Sequence, residues 1–230
     1  YRGPVAETLV REVQAGGGIW SLDDLASYRV AEREPLRYRL ADQRELISAP
    51  PPSAGGVAIA QSLAMLQRLP WQSADKVQRA HYVLEVLRRA YRDRGLLGDP
   101  DHVANPVPQL LSRSHLVALA DSIDVHDATP SRQLPPSPPW REGDHTTHFA
   151  VIDADGNAVA ATLSVNLPFG AAFTARKTGV VLNNEMDDFA ADPQGSNSYG
   201  LSGSQANAVA AGKRPLSSMS PSFILSLIHI

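Results

Sequence analysis

The sequence contains no cysteine. Disulfides, thiolate metal sites and cysteine nucleophiles are therefore excluded, while the redox compartment stays open. No apolar run approaches the roughly 20 residues that a membrane-spanning helix needs. No stretch is strongly basic and the formal net charge is -3, which argues against a nucleic-acid partner. The seven histidines show no metal-ligand spacing, no cofactor motif stands out, and no internal repeat is visible. Tyr1 is not a start methionine, so the lack of a signal peptide carries little weight, and Tyr1-Arg2-Gly3-Pro4 reads as the inside of a longer protein. What is present is ordinary globular composition. The 230 residues are 43% hydrophobic, enough for one large domain or two small ones with a real core.

The pattern along the chain divides into a helical part and a strand-rich part. Apolar residues at Val5, Ala6, Leu9, Val10 and Val13 predict a helix that Gly16-Gly17-Gly18 stops. Ser21 and Asp24 have the spacing of a capping box. Residues 36–49 read as extended, Pro50-Pro51-Pro52-Ser53-Ala54-Gly55-Gly56 as a turn, and the stretch through Leu69 as a helix. A further helix is expected over about 75–92, with Val77, Tyr82, Val83, Val86, Leu87 and Ala90 on one side, and another over 112–124. Residues 127–145 carry Pro130, Pro135, Pro136, Pro138 and Pro139 among polar residues, which suits an exposed, cleavable linker.

From Thr146 the period becomes two. Thr146 to Asp153 and Asn157 to Asn166 predict two strands around the loop Ala154-Asp155-Gly156, whose third position wants a left-handed glycine. That register pairs 153 with 157 and therefore Thr146 with Ser164, which puts their Cβ atoms about 4.5–5.5 Å apart. Thr162, Ser164 and Asn166 share one face. Spacing alone reads this face more readily as the wet side of a strand than as a catalytic cluster. A threonine hydroxyl needs a neighbouring base, and cleavage just before it would supply one as its own α-amine.

Beyond these patterns, several long motifs occur together in order. Thr146-Thr147-His148-Phe149 through Val151-Ile152-Asp153-Ala154-Asp155-Gly156-Asn157-Ala158-Val159 resembles the start of the small subunit of gamma-glutamyltransferases. Gly179-Val180-Val181-Leu182-Asn183-Asn184-Glu185-Met186-Asp187-Asp188-Phe189 and Arg214-Pro215-Leu216-Ser217-Ser218-Met219-Ser220-Pro221 are similar to later small-subunit motifs. Pro50 to Gly56, and Tyr91-Arg92-Asp93-Arg94 through Leu97-Gly98-Asp99-Pro100, resemble the end of the large subunit.

The resemblance implies an α+β fold, the αββα sandwich of the N-terminal nucleophile hydrolases, present here as an incomplete fragment. It divides the chain into residues 1–126 (end of the large subunit), 127–145 (linker), 146–224 (start of the small subunit) and 225–230. The last six residues, Leu225-Ser226-Leu227-Ile228-His229-Ile230, reverse-translate as CTG TCT CTT ATA CAC ATC and match a transposon-end adapter. They are expected to be adapter-derived, with a genuine apolar strand as the alternative.

By the same resemblance, the precursor is cut between His145 and Thr146. Thr146 then attacks the γ-amide of glutathione or a related γ-glutamyl compound, and water or an acceptor amino acid or dipeptide takes the glutamyl group. Ser164 stands where the family usually has threonine and orients the nucleophile. Asn166, Glu185 and Asp188 match positions that hold the substrate ammonium, for which carboxylates give strong charge-assisted bonds. Ser217 and Ser218 match donors to the α-carboxylate. Asp187-Asp188 in isolation reads as a turn and Ser217-Ser218 as a loop. His148, on the Thr146 face, is expected to make a structural hydrogen bond.

The resemblance also implies a heterodimer of subunits from one precursor, no cofactor or metal, and a periplasmic or extracellular location. The family's carboxylate-clamping arginine falls before Tyr1 and its oxyanion glycine pair falls after the last residue. Losing one oxyanion donor costs about 100- to 1,000-fold in rate. Leu167-Pro168 departs from the small or hydroxylated residues common after Asn166. Two other functions remain open: a cephalosporin or glutaryl acylase of the same fold, and a non-catalytic binding domain.

Overall fold

A computed structural model describes residues 1–134, 146–192, 195 and 203–226. In chain order, α1 (Pro4–Ala15) and α2 (Leu22–Ser27) precede β1 (Leu36–Arg39) and β2 (Arg44–Ser48). The helices α3 (Gly55–Leu66), α4 (Lys76–Arg94), α5 (Val107–Leu110) and α6 (Arg113–Asp121) follow. Then come β3 (Thr146–Ile152), β4 (Ala158–Ser164), β5 (Thr174–Ala175), β6 (Val180–Val181) and β7 (Ser222–Ser226). Helices and strands come in blocks, and the named strand pairs are antiparallel, which makes the fold α+β. The described residues form two compact units, one of 1–33, 146–147 and 163–185, the other of 34–134, 148–162, 186–192, 195 and 203–226.

In the first unit, α1 begins with Pro4, whose missing N–H costs nothing at a helix start. It buries Ala6, Val10 and Val13 of the predicted face, while Leu9 is half-buried and Val5 is exposed. Gly17 at φ +90° takes the left-handed turn that ends it. The predicted capping box on α2 is complete: the Asp24 amide donates to Ser21 Oγ at 3.2 Å, and the Ser21 amide donates to the Asp24 carboxylate at 2.7 Å. Phe173 lies so close to Gly16 that a Cβ there would sit 2.5 Å from its ring. The Lys177 amide donates to the Glu12 carboxylate at 3.1 Å. β5 and β6 pair antiparallel, Thr174 opposite Val181.

In the second unit, β1, β2 and β7 form an antiparallel sheet in which Leu46, fully buried, faces Ile224. The run 36–49, read as extended, is thus a hairpin of two strands. It reverses at Leu40–Gln43, where Gln43 adopts φ +69° and the Asp42 carboxylate accepts from Arg44. Leu225 and Ser226 continue β7 opposite Glu45 and Arg44, while residues 227–230 lie outside the described set. One core cluster joins Met65, Val86, Leu119, Ala120 and Ile123, from α3, α4 and the region of α6. A second joins Ala54, Val57, Leu97, Leu110 and Leu216.

α4 departs from its predicted face. Tyr82, Val86 and Ala90 are buried, but Val77 and Leu87 are exposed. The remaining buried positions are Glu85, Arg89, Asp93 and Arg94. Charges can occupy this face because they satisfy one another. Arg89 donates to Glu85 at 2.6 Å, to Ser122 Oγ at 2.7 Å and to Thr129 Oγ1 at 3.0 Å, and Thr129 donates to Glu85 at 2.6 Å. Asp93 accepts from Gln61 at 2.9 Å and lies 2.6 Å from the His115 ring nitrogen. α3 ends at Leu66 rather than Leu69, and the short α5 had no periodic signal. Of the proline-rich stretch, residues 127–134 are described. They are mostly exposed, with Ser131–Gln133 in a 3-10 turn and Leu134 buried. Residues 135–145, including His145, lie outside the described set.

Candidate active site

The β3–β4 hairpin folds as its turn chemistry demands. Gly156 adopts φ +84°, its amide donates to the Asp153 carbonyl at 3.2 Å, and the Asp153 amide donates to the Asn157 carbonyl at 2.9 Å. The Asn157 side chain and amide, bonding the Asp153 carboxylate, hold that carboxyl below its usual range. Fixing 153 against 157 fixes the partners further along. His148 Nδ1 lies 2.9 Å from Thr162 Oγ1, and Thr146 Oγ1 donates to Ser164 Oγ at 3.3 Å. The latter bond is long, well above the usual hydroxyl–hydroxyl distance of about 2.7–2.8 Å. Catalytic contacts commonly tighten only with substrate bound.

Ser164 ends the strand, and Asn166 is not the third member of its polar face. Ser164 Oγ accepts the Asn166 amide at 2.8 Å, a local side-chain bond that competes with the ladder. Asn166 turns to φ +71°, a region asparagine tolerates better than most residues. Its side chain is buried and donates to the Asn184 carbonyl at 3.1 Å, while the Leu167 amide donates to Asn184 Oδ1 at 2.9 Å. Thr146, Ser164, Asn166 and Asn184 are thereby linked in one chain of contacts. Glu185 follows directly, half-buried, at the head of a 3-10 turn, Glu185–Asp188. Asn184 stands in a motif that carries the resemblance but was assigned no role, and no spacing rule marks its bridging one.

The other candidates gather in the second unit. Asn207, 5% exposed, donates from Nδ2 to the Asp188 carbonyl at 2.6 Å, and its Oδ1 accepts the Leu216 amide at 2.9 Å. One side chain thus ties the Asp188 segment to the Leu216–Ser218 segment. The predicted turn before α3 supports the same segment from another side. The Ser217 amide donates to the Pro52 carbonyl and the Ala54 amide to the Ser217 carbonyl, both at 2.8 Å, and Ser53 Oγ donates to the Met219 carbonyl. A Cβ on Gly55 would lie 2.6 Å from the Ser218 carbonyl oxygen, so only glycine permits this approach.

Both serine hydroxyls accept from a donor that has no alternative role. The Met219 amide donates to Ser217 Oγ at 3.0 Å. Arg94 Nε donates to Ser218 Oγ at 3.1 Å, and Arg94 NH2 donates to the Leu216 carbonyl at 3.1 Å. Burial pushes the Arg94 guanidinium down from its ordinary value, and the Asp188 carboxylate opposes that. Each serine oxygen commits one lone pair to its donor, a bond that does not use its O–H. Asn207 and Arg94 were not among the residues assigned a role from sequence. Among the described residues, no group of three or more His, Cys, Asp or Glu side chains is arranged to hold a metal, and no helix is long and apolar enough to cross a membrane.

Comparison with known proteins gives a consistent picture. The family model described as gamma-glutamyltranspeptidase matches residues 1–229. A glutathione hydrolase proenzyme from Pseudomonas sp. (strain A14) is 42% identical over 229 residues, which are 97% of this chain and 39% of that protein. Among solved structures, the cephalosporin acylase from Bacillus halodurans superposes with a TM-score of 0.76 at 24% identity, over 99% of this chain and 38% of that one. The Helicobacter pylori gamma-glutamyltranspeptidase gives 0.55 at 33% identity, over 60% of this chain and 40% of that one.

Proposed function

This chain belongs to the gamma-glutamyltranspeptidase family, and from that premise we propose that it is part of a self-processing γ-glutamyltransferase and glutathione hydrolase. It spans 39% of the length of the Pseudomonas relative, so the activity is that of the longer protein to which this piece corresponds. The finer fold we assign is the αββα sandwich of N-terminal nucleophile hydrolases.

The observation that carries the reading is the hydroxyl pair of Thr146 and Ser164 at the open end of the hairpin. In the precursor, Thr146 Oγ adds to the His145 carbonyl carbon, the peptide bond breaks as the acyl group moves to oxygen, and water hydrolyses the ester. The liberated α-amine of Thr146 then accepts the hydroxyl proton as Oγ attacks the γ-glutamyl carbonyl. The amine leaving group departs protonated, and water or an acceptor amino acid or dipeptide releases glutamate or a new γ-glutamyl product. Ser164 orients the attacking oxygen throughout. Asn166, Glu185 and Asp188 take the substrate ammonium. Ser217 and Ser218 take its α-carboxylate, a role supported by the engaged acceptor side of both hydroxyls. The partners are the two chains of one cleaved precursor, and the location is periplasmic or extracellular.

The test is the mass of the full-length product. Wild type should give two chains, the smaller beginning at Thr146, and Thr146→Ala a single chain. A folded but uncut wild type would instead favour a binding domain. Faster turnover of a glutaryl anilide than of γ-glutamyl anilide would favour an acylase and remove the assigned roles of Glu185 and Asp188.

A further inference from the structure

We propose that Arg94 is the positioning residue of the proposed γ-glutamyl site: its guanidinium holds the Leu216–Ser218 segment and biases the Ser218 hydroxyl to present its proton to the substrate α-carboxylate. The inference rests on the functional reading above and adds a residue to it. Arg94 lies in the last turn of α4, where a cation is favoured by the helix dipole, and is 8% exposed. A guanidinium carries five donors and no acceptor. Ser218 Oγ, 3.1 Å from Nε, can therefore only accept from it. The second arm of the same planar group reaches the Leu216 carbonyl, two residues back, at 3.1 Å. Two bonds from one rigid fork set both the backbone path and the hydroxyl rotor. The Asp188 carboxylate, the proposed partner of the substrate ammonium, also favours the charged form of this guanidinium. Lysine cannot reproduce the fork, because an ammonium is a point charge on a flexible stem.

A purely structural arginine would affect all substrates alike, and that separates the alternatives. The experiment compares the self-processed full-length enzyme with Arg94→Lys, Arg94→Met, Ser218→Ala and the Arg94→Lys/Ser218→Ala double variant. The two substrates are γ-glutamyl anilide and 4-aminobutanoyl anilide, which lacks only the α-carboxylate. Arg94→Lys should raise KM for γ-glutamyl anilide about 10-fold or more, with kcat changed by less than about 3-fold. Its kcat/KM for 4-aminobutanoyl anilide should stay near wild type. The Lys and Ala effects should be strongly non-additive, since the first loosens the orientation of the donor that the second removes. Arg94→Met should show the larger loss of discrimination; if it does not fold, Arg94→Lys decides. Equal losses on both substrates, or additive effects, would overturn the proposal while leaving the functional reading intact. A wild-type enzyme inactive on γ-glutamyl anilide would remove the functional reading and this proposal together.

Discussion

Asn207 is one amide that does the work of a cross-link. Its nitrogen serves the Asp188 carbonyl and its oxygen serves the Leu216 amide, and the residue is buried. Truncation leaves two backbone groups without their partner, and a buried unsatisfied group costs about 1–3 kcal/mol. Asn207→Ala should therefore lower stability by at least about 2 kcal/mol in equilibrium denaturation. Asn207→Asp should be no rescue, because it sets an acceptor against the Asp188 carbonyl. A stability within about 0.5 kcal/mol of wild type for either variant would contradict the tether, since that is the range of substitutions that touch nothing. The sequence offers no warning of this role. Asn207 sits in a Gly/Asn/Ser-rich stretch, where asparagine reads as a turn residue. Which carbonyl and which amide it meets depends on chain segments 19 and 9 residues away in sequence.

At the level of elements, α4 shows what periodicity can and cannot see. Its extent over about 75–92 was legible from the apolar pattern, and the structure adds a reciprocal cap of Asp75 and Gln78 at its start. Its buried face was not legible, because Glu85, Arg89, Asp93 and Arg94 carry charge and a hydrophobicity pattern assigns charge to solvent. Their partners lie elsewhere, on Gln61, His115, Ser122, Thr129 and Ser218. This network predicts a pH dependence. Burial alone would raise the Glu85 pKa, but hydrogen bonds from Thr129, Arg89 and Arg88 outweigh it and the net shift is downward. A carboxylate with a lowered folded pKa contributes stability that is complete above its unfolded value, about 4.3, and is lost as pH falls through the folded value. Wild type should lose stability below about pH 4.5 more steeply than Glu85→Gln. At pH 7 that variant should already be about 3 kcal/mol less stable, since it leaves Arg89 without its counter-charge. Urea denaturation at pH 7 and at pH 4 measures both quantities. Parallel pH profiles would show that Glu85 does not titrate with folding.

At the level of the whole molecule, the proposed self-cleavage would ask one chain to fold as a precursor and then act as two. The parts legible in sequence are those with local, obligatory chemistry. Gly156 at its left-handed turn position set the register that brings Thr146 to Ser164 and His148 to Thr162. The strand's end escaped, because Ser164 bonds the Asn166 amide instead of letting the ladder continue. That double use of Ser164 makes self-cleavage a sharper test than turnover. Its hydroxyl accepts from Thr146 and also holds the turn that places Asn166 against Asn184. Ser164→Ala removes both contacts, so precursor cleavage in the full-length protein should slow by about 10-fold or more, the equivalent of one lost hydrogen bond in a buried or charge-developing setting. Ser164→Thr keeps the hydroxyl and adds a β-branch that suits a strand, so its rate should stay near wild type. Thr146→Ser, which keeps the attacking oxygen, should still be cut. Time courses of chain separation on a denaturing gel give all three rates. If Ser164→Ala were processed as fast as wild type, the hydroxyl pair would be a surface contact on the wet face of a hairpin, and the nucleophile would have to be oriented by something else.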